Sequence, residues 1–237
     1  MNYRSTRNSG LSVTSAEAIA RGISADGGLF VPESIPSFSK EDFKAIGEMD
    51  YIEAAVYVLK QYLTDYTEQE LFECAEGAYS GTFEYEEPAP LAELCPNVFM
   101  LELWHGPTCA FKDLALQILP FLLTKASDKT EKGETKVILL ATSGDTGKAA
   151  LEGFADVPGV KILPFYPEDG VSPMQKLQMI TQEGENVGVC AIKGNFDDAQ
   201  SGVKKIFTDS SIAQKLKQHN MSFSSANSIN WGRLVPQ

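Results

Sequence analysis

Apolar and polar residues are arranged in two different ways along the 237-residue chain. Between residues 41 and 80, apolar residues recur near helical spacing, and each stretch opens with acidic or threonine capping residues, which predicts two or three helices. Later in the chain, short β-prone runs alternate with helix-compatible stretches; the runs are NVFMLEL, KVILLAT, VKILPFY, NVGVCAIK and MSFSSA. This alternation predicts a mainly parallel sheet with helices on both faces. We therefore expect an α/β fold, preceded by a smaller helix-rich N-terminal region.

The acidic, proline-broken stretch FEYEEPAPLAEL separates these two patterns. Before it, residues 1–40 are rich in Gly, Ser and Pro and predict turns around a short strand, and the helices follow. We place a domain boundary in the stretch, which gives an N-terminal region of residues 1–90 and an α/β domain of residues 91–237.

The composition is that of a globular protein and excludes several classes of function. The formal net charge is −12 and the basic residues form no run, which argues against binding to nucleic acid or to an anionic membrane. No apolar stretch is long enough to span a bilayer, and MNYRSTRNSG resembles neither a signal nor a transit peptide, so we expect a cytoplasmic protein. The four cysteines lack C-x-x-C spacing and the chain has two histidines, which argues against a metal site.

A candidate catalytic amine lies in the peptide WHGPTCAFKD. Its Lys112 stands where a loop meets the apolar run LALQILPFLL, so the amine is expected near a helix start and half out of water. Burial and a nearby positive helix end both favour the neutral amine, which is the form that reacts with a carbonyl. The alternative is that Lys112 is a solvated surface charge.

A second candidate, ATSGDTGKAA, follows the strand-like run KVILLAT and precedes a helix-compatible run. A strand, a tight polar turn and a helix start together direct backbone N–H groups and hydroxyls at an anion. The alternative is an ordinary connection in which Asp or Thr caps the helix. A nucleotide-binding P-loop is rejected, because that motif requires glycine at Thr142 and a hydroxyl residue at Ala149.

Taken together and in order, these peptides resemble the threonine synthase family of fold-type II pyridoxal phosphate enzymes. The resemblance spans essentially the whole chain; it is carried by STR, EAIARGISADGGLFVPESIP, HGPTCAFKD, ATSGDTG, GNFDDAQ and NSINWGRLVPQ. It implies pyridoxal 5'-phosphate as cofactor, O-phospho-L-homoserine as the small-molecule substrate, and a lyase that forms L-threonine and phosphate.

The resemblance also implies roles for individual residues. Lys112 would carry the cofactor and move protons on the substrate, while Asp145 would tune the cofactor ring. The substrate carboxylate would be bound by Ser143, Gly144, Asp145 and Thr146, and the substrate phosphate by Asn227, Ser228 and Arg233. From the residues alone, a simple cap at a strand end is the preferred interpretation of Asn227 and Ser228, and the resemblance reverses that preference.

Two alternative functions remain open from the sequence. One is a related phospholyase that acts on another phosphorylated amino acid, and the other is a non-catalytic module that binds a phosphate ester or a partner. The family's anchors for the cofactor phosphate and ring nitrogen are expected beyond Gln237. We therefore expect an N-terminal portion of a longer enzyme, incomplete at its C-terminal end, inactive alone and prone to self-association through apolar surface.

Overall fold

The structure is a computed structural model that describes residues 1–130 and 133–237. The strands in these ranges are β1 (Tyr3–Ser5), β2 (Ser12–Val13), β3 (Phe30–Pro32), β4 (Leu91–Cys95), β5 (Val98–Leu101), β6 (Thr135–Ala141), β7 (Val160–Pro167), β8 (Cys190–Ile192) and β9 (Met221–Ser224). The helices are α1 (Ser15–Arg21), α2 (Lys40–Ile46), α3 (Tyr51–Tyr62), α4 (Glu68–Tyr79), α5 (Asp113–Leu116), α6 (Leu119–Thr130), α7 (Asp145–Phe154), α8 (Pro173–Ile180), α9 (Phe196–Thr208), α10 (Ser210–Gln218) and α11 (Trp231–Leu234). None of these helices is long and apolar enough to cross a membrane.

The N-terminal region combines a small sheet with three consecutive helices. β1 pairs antiparallel with both β2 and β3. The helices α2, α3 and α4 begin at Ser39, Asp50 and Thr67, each of which forms a reciprocal capping box with the acidic residue three positions later. These caps satisfy backbone N–H groups that no helical carbonyl can reach. The expected two or three helices are present, and the last of them is capped by a threonine, Thr67.

A four-stranded parallel sheet in the order β8-β7-β6-β9 forms the centre of the α/β part. The central strand β6 sends alternate side chains into two separate cores: Ile138 and Leu140 into the main one, and Leu139 and Ala141 into a second one with residues of α9. Both faces of β6 are therefore covered, which explains its unbroken apolar run. The expected α/β class, with a parallel sheet covered by helices, is confirmed.

The run NVFMLEL forms a strand, but that strand lies outside the parallel sheet. It provides β5, which pairs antiparallel with β4 and places Leu91 opposite Leu101. The connection between the two strands is Pro96 and Asn97, and Asn97 has a φ of 65°. A two-residue connection can only join antiparallel neighbours, because a parallel partner requires a long crossover.

The main hydrophobic core contains residues from both sides of the predicted boundary at residue 90. It includes Ile19, Leu71 and Tyr79 from the N-terminal region, together with Leu122 and Leu140. α1 packs against α6 and β9. The division into residues 1–90 and 91–237 stays a prediction, while the shared core holds the helix-rich region against the sheet.

Candidate active site

Lys112 is the residue immediately before α5, in helical backbone conformation. Its side chain is 18% exposed, and its Nζ lies 3.7 Å from Asp145 Oδ2. The Nζ also stands 4.1 Å from the centre of the Phe111 ring. An aromatic face and a carboxylate both attract the ammonium form and restrict where the amine can point. The amine is thus directed at the SGDTG turn while staying in reach of solvent.

The loop that carries Lys112 is held by the buried carboxylate of Asp113. Asp113 accepts hydrogen bonds from Thr108 N at 2.9 Å and from Thr108 Oγ1 at 2.6 Å. Burial raises the pKa of Asp113, although these hydrogen bonds favour its ionised form. A Cβ at Gly106 would come within 2.5 Å of Asp113 Oδ2, so only glycine fits there. Asp113 therefore fixes the shape of the loop.

His105, at the start of this loop, is clamped between two glutamates. Its Nδ1 lies 2.7 Å from Glu84 Oε2 and its Nε2 lies 2.6 Å from Glu102 Oε2. A neutral imidazole has only one N–H, whereas the imidazolium can donate to both carboxylates. The hydrogen bonds that the imidazolium donates to Glu84 and Glu102 accordingly raise the pKa of His105. The clamp closes the base of the β4–β5 hairpin next to the lysine loop.

The SGDTG turn leads from β6 into α7 and presents unused N–H groups. Thr142 Oγ1 accepts from Gly144 N at 3.0 Å and from Gly147 N at 2.8 Å, which stabilises the turn from inside. The N–H groups of Ser143, Asp145 and Thr146 donate to nothing in the described ranges. Free N–H groups at the positive end of a helix suit a carboxylate or a phosphate.

Gly144 is required by both the backbone and the space in this turn. Its φ is 135° and its ψ is −82°, a conformation that side chains disfavour. A Cβ at Gly144 would lie 2.3 Å from the Gln175 side chain. The close approach brings α8 against the turn and places an amide beside Asp145.

Three side chains lie close to the Asp145 carboxylate, one as a hydrogen-bond donor and two as ammonium groups. Gln175 Nε2 donates to Oδ1 at 2.8 Å, Lys148 Nζ lies 3.4 Å from Oδ1, and Lys112 Nζ lies near Oδ2. Partial burial opposes ionisation, yet the Gln175 hydrogen bond and the two ammonium charges lower the pKa of Asp145. Our sequence reasoning missed Gln175 and Lys148. For Lys148 the local signal is its spacing of three residues from Asp145 on one helix, and for Gln175 there is none.

The predicted phosphate segment lies at the same edge of the sheet as the SGDTG turn. It follows β9, which is the parallel neighbour of β6, so the carboxyl ends of the two strands adjoin. Ser228 is exposed and Asn227 is half-buried. α11, which ends this segment, packs against α5 and therefore close to Lys112.

Asn230, which the sequence did not single out, organises this segment. It is 1% exposed, and its Nδ2 donates to Ile19 O at 3.0 Å and to Ser225 O at 2.9 Å. Its Oδ1 accepts from Gly232 N at 3.0 Å, which caps α11. Asn230 thereby joins α1, the end of β9 and α11.

Arg233 is placed beneath this segment rather than on its surface. The residue is 3% exposed; its Nη1 donates to Ala226 O at 2.7 Å, and its Nε and Nη2 donate to Gln237 Oε1 at 3.1 and 3.0 Å. Burial lowers the pKa of Arg233 to about 10. No carboxylate in the described residues pairs with it, so a nearby anion would be favoured.

Comparison with known proteins identifies the relatives of this chain. A family model described as "Threonine synthase N terminus" matches residues 2–79. The chain is 39% identical over 238 residues to the threonine synthase of Pseudomonas aeruginosa, and the match covers all of this chain and 49% of that protein. It is 40% identical over 231 residues to threonine synthase-like 1 of Pongo abelii, over 94% of this chain and 31% of that protein.

A solved structure agrees with these matches. The PLP-bound threonine synthase of Brucella melitensis superimposes with a TM-score of 0.85 at 37% sequence identity, over all of this chain and 49% of that one. The chain thus spans about half or less of the length of the relatives it matches. In sequence over its whole length and in fold, this chain belongs to the threonine synthase family.

Proposed function

We propose that this chain carries the amine and the carboxylate-binding turn of a pyridoxal phosphate-dependent lyase. The reaction is the conversion of O-phospho-L-homoserine and water to L-threonine and phosphate. The observation that supports it best is the approach of the Lys112 amine to the free N–H groups of the SGDTG turn, with Asp145 between them. A carbonyl-reactive amine beside an anion-binding turn is what an amino-acid substrate requires.

The residues present fit the cofactor in part. Lys112 would hold it through its amine, and Asp145 would lie beside its ring. When bound, pyridoxal phosphate withdraws electrons from the substrate carbon that loses a proton. GNFDD does not suit the cofactor's phosphate group, because Asn195 and Asp198 form the capping box of α9, and Asp197 and Asp198 place negative charge there.

In this proposal the chain's own groups bind the substrate at both ends and move its protons. Ser143, Asp145 and Thr146 bind the carboxylate through their free N–H groups, and Ser143 and Thr146 add their hydroxyls. Gly144, also expected to bind it, shapes the turn instead, because its N–H donates to Thr142 Oγ1. The Lys112 amine takes a proton from Cα and, after releasing it, takes one from Cβ. The γ-phosphate then leaves with the electrons of its C–O bond, and the two protons return to Cγ and Cα. Water adds its hydroxyl at Cβ and gives its remaining proton to the phosphate.

At the other end of the substrate, Asn227 and Ser228 donate to the phosphate. Arg233 supplies positive charge from beneath them, and it holds the backbone at Ala226. Arg233→Met is expected to weaken phosphohomoserine binding more than binding of unphosphorylated homoserine. Equal losses for both ligands would leave Arg233 only a structural role.

Reductive trapping tests the assignment of Lys112. The protein is incubated with excess pyridoxal phosphate and reduced with borohydride, which captures even a transient linkage, and the labelled peptide is mapped by mass spectrometry. We expect the label on Lys112 and its loss in Lys112→Arg. Lys148, the other amine beside Asp145, is the internal competitor, and a label there or on another lysine would overturn the assignment.

For the 237 residues by themselves, we propose weak cofactor binding and no threonine formation. The support is that the chain covers 49% of the PLP-bound enzyme of Brucella melitensis, so about half of that enzyme has no counterpart in these residues. An absorbance titration with pyridoxal phosphate tests this, and tight stoichiometric binding would contradict it.

A second candidate is a phospholyase acting on another phosphorylated amino acid, favoured by the equally strong match to threonine synthase-like 1. Incubation of a longer protein that contains these residues with a panel of phosphorylated amino acids, followed by product identification, separates the two. Labelling of Lys112 in that protein without turnover of any substrate would instead favour a non-catalytic binding module. The expected cytoplasmic location stays a prediction.

We also infer that this chain self-associates through the β4–β5 hairpin. The apolar side chains exposed there are Leu91, Leu94, Val98, Phe99, Met100 and Leu101. A two-stranded hairpin is marginal alone in water, and such surfaces usually pack against another one. Sedimentation velocity over a concentration series should show association that Phe99→Glu reduces, and a monomer at all concentrations would refute it.

A further inference from the structure

Lys148 is a buried amine between the two halves of the site. It lies in the first turn of α7, its side chain is 10% exposed, and its Nζ lies 3.4 Å from Asp145 Oδ1. The same Nζ donates to Thr108 O at 3.0 Å. Most lysines on a helix surface extend into water, whereas burying an ammonium is costly unless it is paired. The burial of the Lys148 ammonium therefore indicates a role that depends on its positive charge.

The contact with Thr108 ties α7 to the lysine loop. Asp113 accepts the N–H and the hydroxyl of Thr108, and Lys148 binds its carbonyl, so every polar group of Thr108 is engaged. Thr108 lies four residues before Lys112 and both belong to the loop that Asp113 holds. Lys148 is thus a direct polar link between that loop and α7, in addition to the ion pair of Lys112 with Asp145.

The two oxygens of the Asp145 carboxylate contact different amines. Lys148 and Gln175 approach Oδ1, while Lys112 approaches Oδ2. Lys112 must be neutral to bond to a carbonyl carbon, and it then no longer balances the charge of Asp145. Lys148 stays on the other oxygen and takes no part in that bond. A constant counter-charge is therefore present throughout the reaction.

We propose that Lys148 is a positioning residue. It fixes the position of Asp145 relative to the Lys112 loop, and it keeps the Asp145 carboxylate paired with a positive charge while Lys112 reacts. It acts through Thr108 and Asp145 and touches neither substrate nor cofactor. The part of this role that concerns Lys112 rests on the function proposed above. The part that concerns Asp145 does not.

Three substitutions separate the effect of the Lys148 charge from the effect of its hydrogen bond to Thr108. Lys148→Met removes both, Lys148→Gln keeps an N–H donor for Thr108 without the charge, and Lys148→Arg keeps the charge. Lys161→Met is the matched control, because Lys161 is an exposed lysine on β7 whose side chain makes no hydrogen bond or ion pair in the described residues. Thermal unfolding of each variant establishes that it is folded.

The first readout is the titration of the Asp145 carboxyl, followed by ¹³C NMR without cofactor. The charged groups paired with Asp145 in the described residues are Lys112 and Lys148. The pKa of Asp145 is expected to move up in Lys148→Met and Lys148→Gln and to stay low in Lys148→Arg and Lys161→Met. An unchanged titration in both uncharged variants would overturn the proposal, and a merely structural lysine would not produce the charge-dependent pattern.

The second readout is the rate of reductive labelling of Lys112 by pyridoxal phosphate and borohydride. It should fall roughly 3- to 30-fold in Lys148→Met and Lys148→Gln, the range expected when one member of a contact network is removed, and recover in Lys148→Arg. Unchanged labelling with a shifted Asp145 titration would refute the link to Lys112. If the unsubstituted protein is not labelled at Lys112, the proposed function fails, and the titration alone decides whether Lys148 holds Asp145.

Discussion

Replacing Asn230 by alanine should destabilise the protein strongly, although Asn230 is not assigned to any chemistry. The substitution removes three hydrogen bonds, to Ile19 O, Ser225 O and Gly232 N, at a residue that is 1% exposed. Ile19 O keeps a partner in Ser224 Oγ at 3.3 Å, but the side-chain partners of Ser225 O and Gly232 N are lost. The damage should therefore affect the end of β9 and the start of α11.

The magnitude follows from the number of bonds and from burial. Each hydrogen bond contributes about 1 kcal/mol net, and a buried group left without a partner costs about 1–3 kcal/mol. We expect Asn230→Ala to lower the free energy of unfolding by roughly 3–4 kcal/mol, which includes the loss of an N-cap worth about 1 kcal/mol. For a chain of this size, that corresponds to a fall in Tm of roughly 6–16 °C.

The assay compares Asn230→Ala with Asn227→Ala in urea and thermal unfolding. The two substitutions are chemically the same and lie three residues apart. The Asn227 side chain makes no hydrogen bond within the described residues, so its loss should change stability by no more than about 0.5 kcal/mol. A difference of less than about 1 kcal/mol between the two variants would refute the assignment of Asn230 as the structural centre of this segment.

Two further predictions concern the His105 clamp and the SGDTG turn. The pKa of His105 is higher in the folded protein than in the unfolded chain. The stabilisation that protonated His105 gives to the folded state is therefore complete below the unfolded pKa of about 6.5, and it is lost as the pH rises through the folded pKa. Urea unfolding should therefore show the stability difference between wild type and His105→Gln shrinking with rising pH, and a constant or growing difference would contradict the clamp with Glu84 and Glu102. Gly144→Ala should cost about 2 kcal/mol or more through its positive φ and its collision with Gln175. Adding Gln175→Ala should relieve only the collision, and thermal unfolding of Gly144→Ala close to wild type would refute both causes.

Local signals in the sequence were sufficient for most individual elements. The caps at Ser39, Asp50 and Thr67 are local, since each involves a residue three positions away. The cap of α9 is local in the same way, since Asn195 forms a reciprocal capping box with Asp198. The reciprocal bond needs the side chain at the third helical position, which Asp198 occupies and Asp197 does not.

Pairing between strands was predicted less well. The run containing Phe99 was correctly predicted to be a strand, yet its partner is β4 and not the parallel sheet. Apolar periodicity shows that a strand buries a face, but the short connection through Asn97 decides its neighbour.

By itself the sequence determined the α/β class, the caps, the lysine at a helix start and the polar turn after β6, because each depends on residues close together in the chain. The tertiary structure alone decided that Lys148 and Gln175 converge on Asp145, that Asn230 joins α1 to α11, and that Arg233 is buried. Those contacts join α7 to the lysine loop and α8, and α11 to α1. Their geometry depends on how the helices pack on the sheet, and no spacing along the chain encodes it.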